Sequence, residues 1–271
     1  MNKIVLITVI SISTLLTGCG TTQTAHQNTP TTTTAPVVVT TDQATSVPSL
    51  TAQTKDQPYS ITSATFSEDN IKIQYPQIKG LGDDSKEKAI NDLIKNDVLN
   101  SPVEGPIKVY RDVTNNKVKL TLDLKYQVTL NTTELLSVVY TGYSNIEGSA
   151  HPTGDIYALT IDLENATKLK LSDFTTIDTN LAQKIKRSTA VTNDAVKNGM
   201  DKNVLITAIQ SIDDQTLIQG LKDQWAYNTF YVTPNSLVVS VGVAHAIGDY
   251  ALIELPGQYT KQFTYKDKER E

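Results

Sequence analysis

The sequence predicts an α+β fold: antiparallel β-sheet(s) with helices packed on one face, preceded by a signal peptide and a disordered Thr-rich tether. Three observations carry this. "KVKLTLDLKYQVTL", residues 117–130, alternates without a fault, with Val118, Leu120, Leu122, Leu124, Tyr126, Val128 and Leu130 on one side and polar residues on the other. That pattern suits an antiparallel strand with one face in the core and one in water. Separate stretches carry apolar residues at three- and four-residue spacing, the helical period. All 17 aromatic residues fall at or after Tyr59, so the packed core starts there.

The segments before Tyr59 are read first. Lys3 is the lone charge ahead of "IVLITVISISTLLTG", an apolar run ending in small residues. This is a signal-peptide layout over residues 1–18, too short for an ordinary membrane span. The run closes on Leu16-Thr17-Gly18-Cys19, which resembles a bacterial lipobox; the resemblance implies a lipidated Cys19 carrying palmitate-like chains. Several acyl chains, at about 0.8 kcal/mol per buried CH₂, would hold the protein on the outer face of the cytoplasmic membrane. Cys19 is the only cysteine, so no intramolecular disulfide, cysteine zinc cluster or redox pair can form.

Residues 19–58 read as the lipidated cysteine and a tether. Of the 39 residues from 20 to 58, 13 are Thr and 4 are Pro, with Asp42, Lys55 and Asp56 the only charges. Such a segment buries too little apolar area to offset its chain entropy, and disorder is expected. As a coil it spans about 35 Å, and roughly 130 Å if stretched.

The elements follow in chain order. "YSITSATF" and "NIKIQYPQI" flank a turn at Ser67-Glu68-Asp69-Asn70. Ile71, Ile73 and Tyr75 share one face, and Pro76, which lacks a ladder donor, ends the strand or makes it an edge. Ser85 is expected to cap a helix that buries Ala89, Ile90, Leu93, Ile94 and Val98. The alternating run turns at Asn131-Thr132 into "ELLSVVYTGYS", and "DIYALTIDL" follows a loop. A turn at 164–167 leads to "KLKLSDF". "NLAQKIKRSTAVTNDAVKNG" and "NVLITAIQSI" read as a helical insert, with Gly199 as a cap. "TFYVT", a Pro234-Asn235 turn, "SLVVSV" and "YALIELP" return to strand. Residues 259–271 form a charged tail.

Three segments add a resemblance. "IKIQYPQIKGL" with "KAINDLIKND" is similar to the N-terminal, non-catalytic domain of PdaC-type peptidoglycan deacetylases. "GSAHPTGDIYALTIDLENATKLKLSDF" and "FYVTPNSLVVSV…YALIELP" are similar to the partner domain beside it. The same pair forms the ectodomain of RsiV-type anti-sigma factors, which bind lysozyme. The most specific pieces are Tyr75-Pro76-Gln77-Ile78 and Ala150-His151-Pro152. The sequence departs from the pattern at "GVAHAIGDY". The resemblance implies a PdaC-like domain over 59–150 and an RsiV-ectodomain-like one over 151–258. It also implies peptidoglycan or a wall hydrolase such as lysozyme as partner. The catalytic metal domain of the deacetylases has no counterpart in these residues, so a non-enzyme is expected.

The chemistry of the loop "NIEGSAHPTGD", 145–155, is weighed on its own residues. Glu147, Ser149 and His151 are the residue types of a hydrolase triad, yet no G-x-S-x-G elbow accompanies them. A shaped turn is the leading reading, contact with a ligand through Tyr143, Asn145, Glu147, Ser149 and His151 the second, and catalysis through His151 the third. Ser85-Lys86-Glu87-Lys88 matches S-x-x-K without its companion motifs. His245 with Asp249 makes two ligands, short of a metal site; His26 is isolated. No metal or cofactor is expected. Tyr140, Tyr143, Trp225 and Tyr227 are candidates for stacking on sugar rings. Without Lys3, 23 basic side chains stand against 29 acidic ones, a formal −6, which excludes a nucleic-acid partner. The leading function is therefore a lipid-anchored binding protein of the cell envelope. The alternatives are a wall-sugar hydrolase or deacetylase acting through His151, or a purely structural lipoprotein.

Overall fold

Two sheets, stacked face to face, carry helices on their outer sides. The computed structural model describes residues 59–100, 119–224 and 227–257. The signal segment, Cys19, His26, the Thr-rich segment, Lys117, Val118, Trp225 and the 259–271 tail lie outside the described residues. Among the described residues no helix is long and apolar enough to cross a membrane.

The first sheet has the order β1 (Ser60–Glu68), β2 (Ile71–Lys79), β3 (Leu120–Asn131), β4 (Leu135–Ile146), β5 (Thr153–Asp162) and β6 (Thr167–Lys168). All neighbours are antiparallel except β2 and β3, which run parallel over Ile71–Ile73 against Leu122–Leu124. The parallel pair is possible because α1 (Asp84–Leu99) lies between the two strands in the chain, where parallel strands require a long crossover. Pairing with β3 stops at Ile73, so β2 is an edge on that side when it reaches Pro76, as the missing N–H demands. The helix begins slightly earlier than expected. Asp83, not Ser85, is the cap: its carboxylate accepts the Lys86 amide at 2.9 Å. Ile90, Ile94 and Val98 are buried on the sheet, at roughly 1.5–3 kcal/mol each; Ala89 is exposed.

After a 3₁₀ turn at Leu171–Asp173, the chain forms α2 (Thr179–Arg187), β7 (Val191–Thr192), α3 (Asp194–Lys197), α4 (Lys202–Ser211) and α5 (Asp214–Asp223). It then makes β8 (Phe230–Val232), β9 (Ser236–Gly242), a 3₁₀ turn at His245–Ile247 and β10 (Tyr250–Pro256). The expected helical insert is thus interrupted by β7, which pairs with β10 in a second sheet of order β7-β10-β9-β8. Gly199, at φ +103°, closes α3 as expected. α5 has no counterpart among the expected elements, although Asp213 caps it and Leu217, Ile218 and Leu221 bury its inner face.

Alternation assigns the faces. Leu136, Val138, Tyr140, Leu159 and Ile161 pack under α1, while Leu237, Val239, Val241, Ala251 and Ile253 pack under α2, α4 and α5. Between the sheets lie Val139, Ile156 and Tyr250. Leu135–Tyr140 of β4 is therefore buried on both faces, where the alternation of β3 alone suggests one wet face. The seam is also polar. A β-bulge between Val128 and Leu130 frees Thr129, whose hydroxyl donates to the Val232 carbonyl at 2.8 Å. The Ser137 hydroxyl accepts the Val232 amide at 3.0 Å. These bonds satisfy both backbone groups of Val232 on the outer edge of β8. The expected boundary at 150/151 falls in the β4–β5 connection, inside one hydrogen-bonded sheet; the change of sheet comes between Lys168 and Val191.

Candidate functional site

Two connections meet at one rim of the stacked sheets. The first joins β4 to β5. β4 runs past Tyr143 to Ile146, and Ser144 pairs with Thr153, so the loop proper is 147–152. The Glu147 amide donates to the Lys119 carbonyl, and Ser149 N–H to that of Ile146, each at 2.9 Å, with Gly148 at φ +91° supplying the turn. The Ser149 hydroxyl faces the Ile146 carbonyl at 2.8 Å and the Asn145 amide oxygen at 2.9 Å. Its approach to His151 is to the backbone carbonyl, at 3.5 Å, not to the ring. A serine whose proton goes to its own turn is not an activated nucleophile. Asn145, Glu147, Ser149, His151 and Pro152 are all exposed.

The second connection joins β9 to β10. His245 Nδ1 lies 2.7 Å from Asp249 Oδ1, and the other carboxylate oxygen of Asp249 accepts the Gly154 amide of β5 at 2.8 Å. Asp249, 7% exposed and at φ +66°, therefore ties the connection to the first sheet. Space for that bond exists because residue 154 is glycine: a Cβ there would stand 3.3 Å from the carboxylate oxygen. Asn193 holds the same connection from outside. Its amide donates to the carbonyls of Ile247 (2.7 Å) and Tyr250 (2.9 Å), while its oxygen caps α3. Gly248, at φ +108°, passes so close that a Cβ would lie 2.6 Å from the Asn193 nitrogen.

Together the two connections place the rings of His151 and His245 6.2 Å apart, inclined by 30°. Neither sequence spacing nor periodicity brings them together; only the stacking of the sheets does. Tyr143, 54% exposed, donates to Asp194 at 3.2 Å, and Lys197 pairs with the other oxygen of Asp194 at 3.0 Å. Burial, and then the Asp194 carboxylate, raise the Tyr143 hydroxyl above its ordinary range. Behind the rim, Asp155 is 8% exposed. Burial pushes its carboxyl up to about 6, helped by the Asp249 charge and opposed by a hydrogen bond from Ser144. Its Oδ2 has no hydrogen-bond partner among the described residues.

The rim can donate and accept hydrogen bonds, stack, and exchange a proton. The Asp249 carboxylate orients the His245 ring through its Nδ1. Among the described residues no three His, Cys, Asp or Glu side chains gather as a metal-binding group. Of the other stacking candidates, Tyr140 is fully buried beneath α1 and cannot meet a sugar, and half-buried Tyr227 stacks on Tyr250 at 6.2 Å. Ser85 lies exposed in the first turn of α1, with Lys88 paired to Asp92. Sequence reasoning names His151 and the His245–Asp249 spacing, but misses Asp155 and Asp194, which no motif marks.

No curated protein matches the chain. Among solved structures it is similar to a member of the DUF3298 family from Bacteroides fragilis. That similarity has 15% identity and a TM-score of 0.47 over 74% of this chain and 91% of that one. A DUF3298 family protein from Pseudomonas aeruginosa is similar at 12% identity and a TM-score of 0.41, covering 74% and 92%. The family model described as Deacetylase PdaC matches residues 62–153, from β1 to the first residue of β5, and so includes the 147–152 loop but not His245 or Asp249. Over those residues the chain is similar to the PdaC deacetylase family.

Proposed function

We propose that the chain is a non-catalytic binding protein of the bacterial cell envelope, held on the membrane by lipid on Cys19. Its ligand is peptidoglycan or a wall hydrolase such as lysozyme, and its second half serves as an RsiV-type partner domain. The observation that supports this best is the rim itself. Two loops from two sheets present exposed Tyr143, Glu147, His151 and His245 on rigid strand ends, where binding usually resides. The PdaC match over 62–153 favours a wall-associated role, and the formal −6 favours a cationic partner. The test is retention of the soluble chain by purified cell wall and by immobilised lysozyme. Retention above a charge-matched control in at least one assay is expected, and lysozyme capture should weaken with salt; retention in neither overturns the reading.

One observation favours a second reading. The His245–Asp249 pair has the form of an oriented base, and His151 stands beside it. A wall-sugar hydrolase or deacetylase would use them, and would release product from peptidoglycan until His151→Ala or His245→Ala abolished it.

A further inference from the structure

On the face of the second sheet turned toward the first, side chains from all four strands border one cavity of about 260 Å³: Thr192 of β7, Leu252 and Glu254 of β10, Val238 of β9 and Tyr231 of β8. Lys202, the first residue of α4, closes its side. Pockets for drug-sized ligands start at roughly 300 Å³, so this one suits one or two amino-acid residues. The floor is apolar, from Val238 and Leu252, and the walls carry opposite charges. Each charge is steadied by its own neighbour: the Lys202 ammonium donates to the Thr189 carbonyl at 3.1 Å, and one Glu254 oxygen accepts the Ser236 hydroxyl at 2.8 Å. Lys202 thus keeps further N–H donors, and Glu254 a second oxygen, to offer a guest. Burial, and then the Glu254 charge, push the Tyr231 hydroxyl up to about 12, so it remains a donor.

We infer that this cavity binds the end of a short peptide carrying both a free amine and a carboxylate, the amine on Glu254 and the carboxylate on Lys202 and the Tyr231 hydroxyl. A zwitterionic peptide finds a partner here for each of its charges at once, whereas a neutral acetamido-sugar strand uses neither Glu254 nor Lys202 as a charge partner. The inference deepens the proposed envelope role and rests on it: within peptidoglycan, the part with this chemistry is the peptide stem, and free peptides are the other source.

Calorimetric titration of the full chain tests it with four probes: a disaccharide-tetrapeptide with a free side-chain amine, its N-acetylated form, the free tetrapeptide, and the bare disaccharide. Binding of both amine-bearing peptides is expected, about tenfold weaker after acetylation. Glu254→Gln should abolish the preference for the free amine, and Lys202→Gln should weaken every peptide alike. Both side chains are exposed, and near-ultraviolet circular dichroism checks that the variants fold. Equal affinity of free and disaccharide-linked tetrapeptide supports the pocket and makes the peptide end sufficient; preference for the linked form supports it and makes the wall the source. Equal binding of bare disaccharide, or unaltered selectivity in both variants, overturns it. If cell wall and lysozyme both fail to retain the protein while the tetrapeptide binds, the envelope role falls and the pocket stands. If wall is retained and no peptide binds, the pocket alone falls.

Discussion

The two connections that make the rim differ in everything but position. The 147–152 loop is exposed throughout and bonded mainly to itself, through Ser149, Asn145 and Ile146. The 243–249 connection is fastened three times over. Asp249 reaches Gly154, His245 reaches Asp249, and Asn193 holds the Ile247 carbonyl and that of Tyr250 where β10 begins. The 147–152 loop is rich in reactive residue types yet structurally independent. The 243–249 connection offers only a lone His–Asp spacing, yet it is the anchored one and carries exposed His245 on that anchorage. Reactive residue types therefore locate display, while anchoring is read from what lies buried beneath.

Experiments that break the anchored connection should have the largest effect. Asn193→Ala removes two hydrogen bonds from a residue 1% exposed and uncaps α3, so about 3 kcal/mol of stability should vanish in urea titrations. A loss under about 1 kcal/mol would mean the connection is held elsewhere. Gly248→Ala should cost a similar amount, through its φ of +108° and the clash with Asn193; in the double variant the clash disappears and the φ strain stays, so the two losses should add only in part.

The next effect depends on pH. The Asp155 carboxyl holds its proton more tightly when folded (about 6) than when unfolded (3.8). Between these values the unfolded chain releases the proton first, so stability is full below pH 3.8 and declines as pH rises to about 6, by roughly 2–3 kcal/mol. Asp155→Asn should flatten that slope and raise the melting temperature at pH 7.5 but not at pH 3.5. An unchanged slope would remove Asp155 as its source.

The displayed loop should respond least. Replacing residues 146–150 with Gly-Ser should change stability by less than about 1 kcal/mol, while retention by wall or lysozyme disappears. Large destabilisation with binding kept would turn this loop into architecture as well. His151→Ala, the smallest change, should leave stability within about 0.5 kcal/mol and weaken capture only.

How much of this is legible in the sequence varies with the range of the forces involved. The β3 alternation, the Pro76 edge and the α1 stripe are local and can be read from the residues. The double burial of β4 is also written locally, in the unbroken run Leu135-Leu136-Ser137-Val138-Val139-Tyr140, the signature of a strand covered on both faces. Judging the sheet from β3 alone hides it. Asp83 outcompetes Ser85 because a carboxylate two residues earlier reaches the free amides first. The approach of His151 to His245, and the burial of Asp155, arise from sheet stacking between residues about a hundred apart in sequence, and no local pattern encodes them.

The side-chain bonds between the sheets carry a consequence for time rather than strength. Thr129 and Val232 are 103 residues apart, Ser137 and Val232 95, and Gly154 and Asp249 95. Contacts of that span repay their loop-closure entropy only late, which puts folding on a scale of roughly milliseconds to seconds. A chain made from its N-terminus completes β4 and β5 long before β8 and β10 exist. Until they arrive, Val139 and Ile156 stand bare on an open sheet face, and premature association of that face is the hazard against which the speed of the last hundred residues is measured.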